Sequence, residues 1–394
     1  MKDNYVIVSA VRTPIGRFGG SLKDINSGKL ASFAITEAIK RAGIKPEQVD
    51  EVIMGEVRQT SESSNVARVA ALRSGIPIEK PAFTVNRLCA SGMQAITSAV
   101  QQIAFNQAEI IVAGGTENLS RAPFYLYDAR FGEGVPKLID SNLLNGQQPT
   151  ETYGNDLGMG ITAENVAEKY KITREEQDQF AVLSQEKTKN AIEEGKFEKE
   201  IVPIEIKRKK DRFLFKQDEH PRLDTKISSL EKLKPAFKEA GTVTAGNTCG
   251  RNDGATAIVI MKEQKANELG LKPIVRIVDW ATSGVDPRFM GIGPVPAIKL
   301  LLEKTGLKKE EIDLFELNEA FAAQALAVIK ETGIDINKVN VNGGAIALGH
   351  PLGATGARIT TTLIHELIRR QGRYGIATLC VGGGQGIALL VERI

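Results

Sequence analysis

The sequence predicts an α/β protein built of two similar halves, and three observations carry that prediction. Short β-branched runs alternate with helical patterns along the chain. A segment near the start recurs near the end in the same register. Both halves close on a glycine-rich strand end, VAGGTEN in the first and CVGGGQG in the second. The strands are expected at residues 6–8, 52–54, 110–112, 256–261, 274–278, 376–379 and 387–391. Helices are expected between them, among others at 30–41 and 295–305. Such alternation is the pattern of largely parallel, buried sheets.

The recurring segment is AGIKPEQVDEVIMG from Ala42 and TGLKKEEIDLFELN from Thr305. Gly43 and Gly306, Lys45 and Lys308, Glu47 and Glu310, and Asp50 and Asp313 match at one constant offset. The pair Val85-Asn86 recurs as Val341-Asn342, each time before small residues and a long helix. This is internal duplication. Residues from about 121 to 251 do not fit the repeat. They hold charged helices at 163–170 and 174–194, the basic run Lys207-Arg208-Lys209-Lys210, and few strand signals. The expected division is therefore 1–120 with 252–270 as the first half, 121–251 as an insertion carried on it, and 271–394 as the second half. An insertion of that size usually serves binding.

Composition bounds the function. The chain has 394 residues, enough for two or three domains, with 42% hydrophobic and 25% charged residues. Its 51 basic against 48 acidic side chains give a net charge of +3, too small to pull on a polyanion, so nucleic acid is not the expected partner. No apolar run approaches a membrane span of roughly 18 residues, and the start MKDNYVIVSAVRTP carries no signal-peptide pattern. A cytoplasmic protein without membrane contact is the expectation.

The scarce residues are the informative ones: three Cys (Cys89, Cys249, Cys380) and three His (His220, His350, His365). So few Cys make no disulfide framework, and none has the close spacing of a zinc site, so no metal is expected. Cys89 stands in VNRLCASGMQAITSAVQQI, where strand-like residues give way to small ones and then to apolar residues at spacings of three and four. That places it at a strand-to-helix turn, where the helix N-terminus would lower a thiol's pKa. The same segment equally fits a buried Cys ahead of a core helix. His350 lies in NGGAIALGHPLGATGARI among five glycines, as a turn residue or as a base. Duplication favours the base, because its segment corresponds to the one carrying Cys89 and the two should meet between the halves. Cys380 ends a strand before three glycines, and Asn318 ends another before a helix. Each has a bland reading, a core Cys and an N-cap, and each could serve a site at strand carboxyl ends. No Walker A motif occurs, and GGGQG has no helix behind it, so nucleotide binding is set aside.

These residues together resemble the thiolases, the acetyl-CoA acetyltransferases and 3-ketoacyl-CoA thiolases. The resemblance rests on NRLCASGMQA with Cys89, NEAFA from Asn318, NGGAIALGHPLGATGAR with His350 and LCVGGGQG with Cys380. It extends from SAVRTPIGRFGG through MGITAENVAEKY and GTVTAGNTCGRNDGA to the last strand. It implies an α/β/α/β/α layered sandwich of two thiolase halves, with a loop domain over the first half that binds coenzyme A. It further implies a ping-pong reaction with acyl-CoA and CoA as partners and no cofactor beyond these thioester substrates. His350 would act as base on Cys89, which takes the acyl group, and Cys380 would exchange a proton with the α-carbon of the second thioester. One oxyanion hole would come from His350 and a water held by Asn318, the other from the backbone N–H groups of Cys89 and Gly382. Arg222 would lie near the adenine and phosphate end, with Ser229, Phe237 and Ala245 along the pantetheine arm. Two positions depart from the short-chain members: Cys249 where serine is usual, and Gly158 before Met159 where histidine is frequent. Both fall near the pantetheine and acyl pocket, which leaves chain length open. The resemblance also implies a homodimer or homotetramer. Condensing enzymes of ketoacyl-synthase or HMG-CoA-synthase type lack the second Cys, and a silent lipid carrier of the same fold would be expected to lose Cys89 or His350.

Overall fold

A computed structural model describes residues 3–394 apart from 133, 144–145 and 209–210. The last two residues of the basic run, Lys209 and Lys210, therefore lie outside the described residues. The chain opens with β1 (Tyr5–Arg12), the short β2 (Gly16–Arg17), α1 (Ser27–Ala42), β3 (Glu51–Gly55), α2 (Val66–Arg73), β4 (Ala82–Val85), α3 (Ser91–Ala104) and β5 (Ile110–Asn118). It then runs through β6 (Phe124–Tyr127), β7 (Lys137–Asp140), α4 (Thr150–Tyr153), α5 (Met159–Tyr170), α6 (Arg174–Glu193), β8 (Ile204–Arg208), β9 (Asp211–Phe215) and α7 (Ile227–Leu230). It returns through β10 (Asn252–Lys262) and α8 (Glu263–Glu268) to β11 (Val275–Gly284), α9 (Pro294–Thr305) and β12 (Leu314–Leu317). The last elements are α10 (Ala322–Thr332), α11 (Ala345–Leu348), α12 (Leu352–Arg370), β13 (Tyr374–Val381) and β14 (Gln385–Arg393).

The duplication is visible in the strand order. The first half runs β4-β3-β5-β10-β1 and the second β12-β13-β14-β11, with Val339 bridging Phe315 where β4 would stand. The two meet where Tyr5–Ile7 of β1 pairs antiparallel with Val275–Ile277 of β11. The sheets are mixed rather than largely parallel. β3 pairs parallel with β4 and β5, and β12 with β13, but β10 and β14 run antiparallel to their neighbours. The reason is the connection: β14 follows β13 after a tight turn, and β10 arrives from the insertion, so neither is fed by a crossover helix.

The repeated residues do the same work twice. Gly43 and Gly306 terminate α1 and α9 in the left-handed conformation, at φ 73° and 71°. Lys45 and Lys308 each open a single 3₁₀ turn. Asp50 accepts the backbone N–H groups of Glu109 and Ile110 at 3.0 Å, and Asp313 those of Arg373 and Tyr374 at 2.6 and 2.9 Å. In each half one carboxylate thus fastens the turn that starts the central strand.

Period-two alternation builds five layers. Val112 and Val259 face α1 and α2 on one side of the first sheet, while Ile111 and Ile258 face α3 on the other. Ile359, Leu363 and Leu367 of α12 join that central layer, with Leu379 and Leu389 of the second sheet beneath them. Ile376 and Leu390 turn outward to α9 and α10. The insertion leans on both halves, where the sequence placed it over the first. Arg12 in β1 ties it to the first half, giving Nε to Glu200 at 2.6 Å and both terminal nitrogens to Asp218 at 2.7 and 2.9 Å, all 1% exposed. Phe180 and Ala181 of α6 join the outer core of the second half, and Val166 of α5 packs with Ala327 of α10. The insertion also forms two small hairpins, β6–β7 and β8–β9, beyond its few strand signals.

Candidate active site

The helices of the central layer deliver two of the candidate residues in the same way. Cys89 precedes Ala90, the N-cap of α3, and His350 precedes Pro351, the N-cap of α12. The helices pack side by side because glycine keeps the seam thin. A Cβ on Gly353 would stand 2.6 Å from the carbonyl of Thr116, and one on Gly92 would stand 2.8 Å from the carbonyl of Gly353. Cys89 is further presented by Leu88, whose φ of +47° is unusual for a branched residue and marks a strained turn before a nucleophile.

Cys89, His350, Cys380, Cys249 and Gly382 line one cavity of about 700 Å³. The backbone N–H groups of Gly382 and of Cys89 itself, and the charge of Arg58, favour the Cys89 thiolate, but burial outweighs them and Glu117 opposes it, so the thiol is pushed up to about 11. The helix terminus therefore does not yield a resting thiolate, contrary to the expectation from sequence: desolvation is the stronger effect here. A base is required.

His350 is held as a neutral imidazole. It is 4% exposed, and burial together with Arg358 holds its imidazole down to about 3, neutral at physiological pH. Nδ1 lies 2.7 Å from Thr355 Oγ1, and that hydroxyl donates to the Pro351 carbonyl at 2.8 Å. With its one proton so used, Thr355 can only accept, which assigns the hydrogen of His350 to Nδ1 and leaves a lone pair on Nε2. Nε2 has no hydrogen-bond partner among the described residues. Asn252 fixes the backbone here, accepting His350 N–H at 3.0 Å and donating to the Gly16 carbonyl at 2.9 Å. Thr355 and Asn252 had no separate signal in the sequence, although both lie inside the quoted motifs.

Cys380 is 1% exposed, and burial first and the neighbouring Cys89 and Cys249 next raise its thiol well above the ordinary value. Cys249 donates its backbone N–H to Ala320 at 3.1 Å, and its thiol is pushed up to about 12, mainly by burial. All three cysteines are free. Asn318 follows β12, is 1% exposed, and neither atom of its amide has a partner among the described residues, yet it does not line the cavity itself. Its neighbours are firmly held: Asn340 donates to the Leu317 carbonyl and accepts the Leu317 N–H, both at 2.8 Å, and Glu319 accepts from Ser184 at 2.7 Å.

Of the remaining candidates, Met159, Arg222, Phe237 and Ala245 line the cavity, as does Gly158. Arg222 is exposed at its mouth, and Phe237 stands edge-on to Phe321 with ring centres 6.3 Å apart. Ser229 does not line it; it is exposed, and its hydroxyl donates to Lys226 in the first turn of α7. His220, given no role by the sequence, lines the cavity beside Arg222, which with burial holds it down to about 4. Among the described residues no group of three or more side chains could hold a metal ion, and no helix is long and apolar enough to cross a membrane.

The arrangement suits acyl transfer through sulfur: a thiol, a neutral imidazole, two N–H donors and a second thiol share one pocket. Two family models match the chain, the N-terminal domain of thiolase over residues 5–264 and its C-terminal domain over 271–393. An acetyl-CoA acetyltransferase of Syntrophomonas wolfei is 52% identical over 400 residues, all of both chains. The crystal structure of the Bacillus anthracis acetyl-CoA acetyltransferase aligns with TM-score 0.94 at 48% identity, covering 100% of this chain and 99% of that one. Human mitochondrial 3-ketoacyl-CoA thiolase in complex with CoA aligns with TM-score 0.94 at 46% identity, covering 100% and 98%.

Proposed function

We propose that this chain, which belongs to the thiolase family, is an acetyl-CoA C-acetyltransferase that joins two acetyl-CoA into acetoacetyl-CoA and CoA and runs the reverse cleavage. The observation that carries this reading is the meeting of Cys89, His350 and Cys380 in one cavity. His350 Nε2 takes the Cys89 proton as the sulfur attacks the thioester carbonyl, and gives it to the departing CoA sulfur. The acyl group then rests on Cys89. Its carbonyl oxygen lies within reach of the Cys89 and Gly382 N–H groups, donors that cost no reorganisation because the backbone holds them. Cys380 exchanges a proton with the α-carbon of the second thioester, whose carbanion displaces Cys89 from the acyl group. Asn318, whose buried amide atoms have no partner among the described residues, is the residue assigned to hold a water for the oxyanion site that includes His350.

CoA and acyl-CoA are the ligands. Arg222 at the mouth faces the nucleotide end, and Met159, Phe237, Ala245 and Cys249 line the path inward. A longer-chain 3-ketoacyl-CoA thiolase is the second reading, favoured by Cys249 and Gly158 in the cavity wall. The working setting is the cytoplasm, whose reducing conditions suit three free thiols, and fatty acyl metabolism, which supplies acyl-CoA. A homodimer or homotetramer is supported by the apolar hairpin, where Phe124, Leu126 and Leu138 are 62%, 58% and 68% exposed. Light scattering reads the oligomer. The activity test is thiolysis of 3-ketoacyl-CoA substrates of increasing chain length. Acetoacetyl-CoA plus CoA should give acetyl-CoA, and its failure to do so overturns the reading.

A further inference from the structure

The duplication gives every strand end in one half a counterpart in the other. Asn318 is the residue after β12 and Cys380 is the penultimate residue of β13. In the first half the residue after β3 is Glu56, and the penultimate residue of β5 is Glu117. The first half thus carries two carboxyl groups at these strand ends, each one place beyond the residue that matches Asn318 or Cys380 in the ladder register. Both are buried, at 0% exposure. The proposed reaction uses neither.

Glu117 is not idle in the packing. One oxygen accepts the Gly353 N–H at 2.8 Å and the Val57 N–H at 3.1 Å, and the other accepts the Arg58 N–H at 3.0 Å. Gly353 lies in the first turn of α12, three residues after His350. Val57 and Arg58 belong to the cavity wall. A carboxylate at this point also meets the positive end of α12. The same charge reaches Cys89, whose thiolate it disfavours. One side chain of the first half therefore grips the helix that carries the base, the wall of the pocket and, through space, the nucleophile.

We propose that Glu117 is a positioning residue for the acyl transfer: by holding the first turn of α12 and the Val57–Arg58 segment it fixes where His350 stands relative to Cys89. The proposal rests on the assignment of Cys89 and His350 as nucleophile and base. A side chain that positions a base affects the chemical step rather than the affinity for CoA, because none of its contacts is with the ligand. Glu117→Gln retains one acceptor and turns an amide NH₂ toward a backbone N–H, so at least one of the three bonds is lost.

The test measures thiolysis of acetoacetyl-CoA and alkylation of Cys89 by iodoacetamide, for the wild type and E117Q. The expected result is a fall in kcat of about tenfold or more, with KM for CoA within about twofold. Alkylation should slow in the same proportion, since it depends on His350 drawing off the thiol proton. Where E117Q does not accumulate as folded protein, E117D, one methylene shorter, is read by the same two measurements. A folded variant with wild-type kcat and alkylation rate overturns the proposal, and so does a rise in KM with kcat unchanged. Cys89→Ser keeps the two levels apart. An active C89S variant removes the nucleophile assignment itself, whereas an inactive one beside a fully active E117Q removes only the role of Glu117.

Discussion

His350 gives its Nδ1 hydrogen to Thr355 across 2.7 Å, and Thr355 in turn gives its own to Pro351. The chain of donors leaves the base lone pair on the other ring nitrogen. Thr355→Val keeps the branched shape and removes the acceptor. The expected outcome is a fold of near-native stability with kcat lowered on the order of tenfold to a hundredfold, because the ring can then hold its hydrogen on the wrong nitrogen. Steady-state thiolysis with a parallel melting curve checks this. Unchanged kcat removes the tautomer argument.

The thiols of Cys89 and Cys380 should separate by half-reaction. Cys89→Ser is expected to lose turnover by several orders of magnitude and to form no acyl-enzyme with labelled acetyl-CoA. Cys380→Ser should still trap label on Cys89 and fail in proton exchange at the α-carbon. Mass spectrometry of the quenched enzyme reads the first step, and deuterium uptake into the thioester reads the second. A C380S variant that loses acylation alone contradicts the division of roles.

Arg12 sits between Glu200 and Asp218, all 1% exposed, where the insertion meets the first half. Arg12→Ala leaves two buried carboxylates without their cation and is expected to cost about 3–5 kcal/mol. Chemical denaturation of this variant beside the wild type measures it. A loss below about 1 kcal/mol, the level of an exposed ion pair, would show that the site is not dry.

Stability should depend on pH from both sides. Burial raises the carboxyl groups of Glu56 and Glu117, Asp253 to about 6 and Glu316 to about 8. These groups keep protons in the native state that the unfolded chain has already released, so they lower stability as pH rises through that range. His220 and His350, held down to about 4 and about 3, act oppositely: only the unfolded chain binds their protons as pH falls below about 6.5, so acid destabilises. Between about pH 6.5 and 8 the carboxyl groups outweigh the fading effect of the histidines, and the melting midpoint should fall across that window. Glu316→Gln should flatten the slope, and an identical slope in that variant would rule Glu316 out as a contributor.

The residues that could be read in advance are those whose role follows from local pattern. Cys89 before a run of small residues, and the matching glycines and aspartates of the repeat, depend on neighbours a few positions away. The unread ones depend on which distant segments meet. Nothing local distinguishes Glu117 from an ordinary strand-end glutamate until α12 arrives to donate the Gly353 N–H. The pKa of Cys89 failed in prediction for the same reason, since the local dipole was visible and the burial imposed by the other half was not. The direction of β10 was hidden because its partner strand is chosen after the whole insertion has been traversed. The reach of α6 onto the second half was hidden likewise.

The seam between α3 and α12 has a consequence for how the molecule comes into being. Cys89 and His350 ride on helices from different halves of the chain, and glycine contacts such as Gly92 against Gly353 let those helices pack closely. Neither half alone holds both residues, however well it is formed. Contacts so remote in sequence are slow to find. On refolding, secondary structure should return first and turnover last, so that enzymatic rate becomes a clock for the closing of the seam.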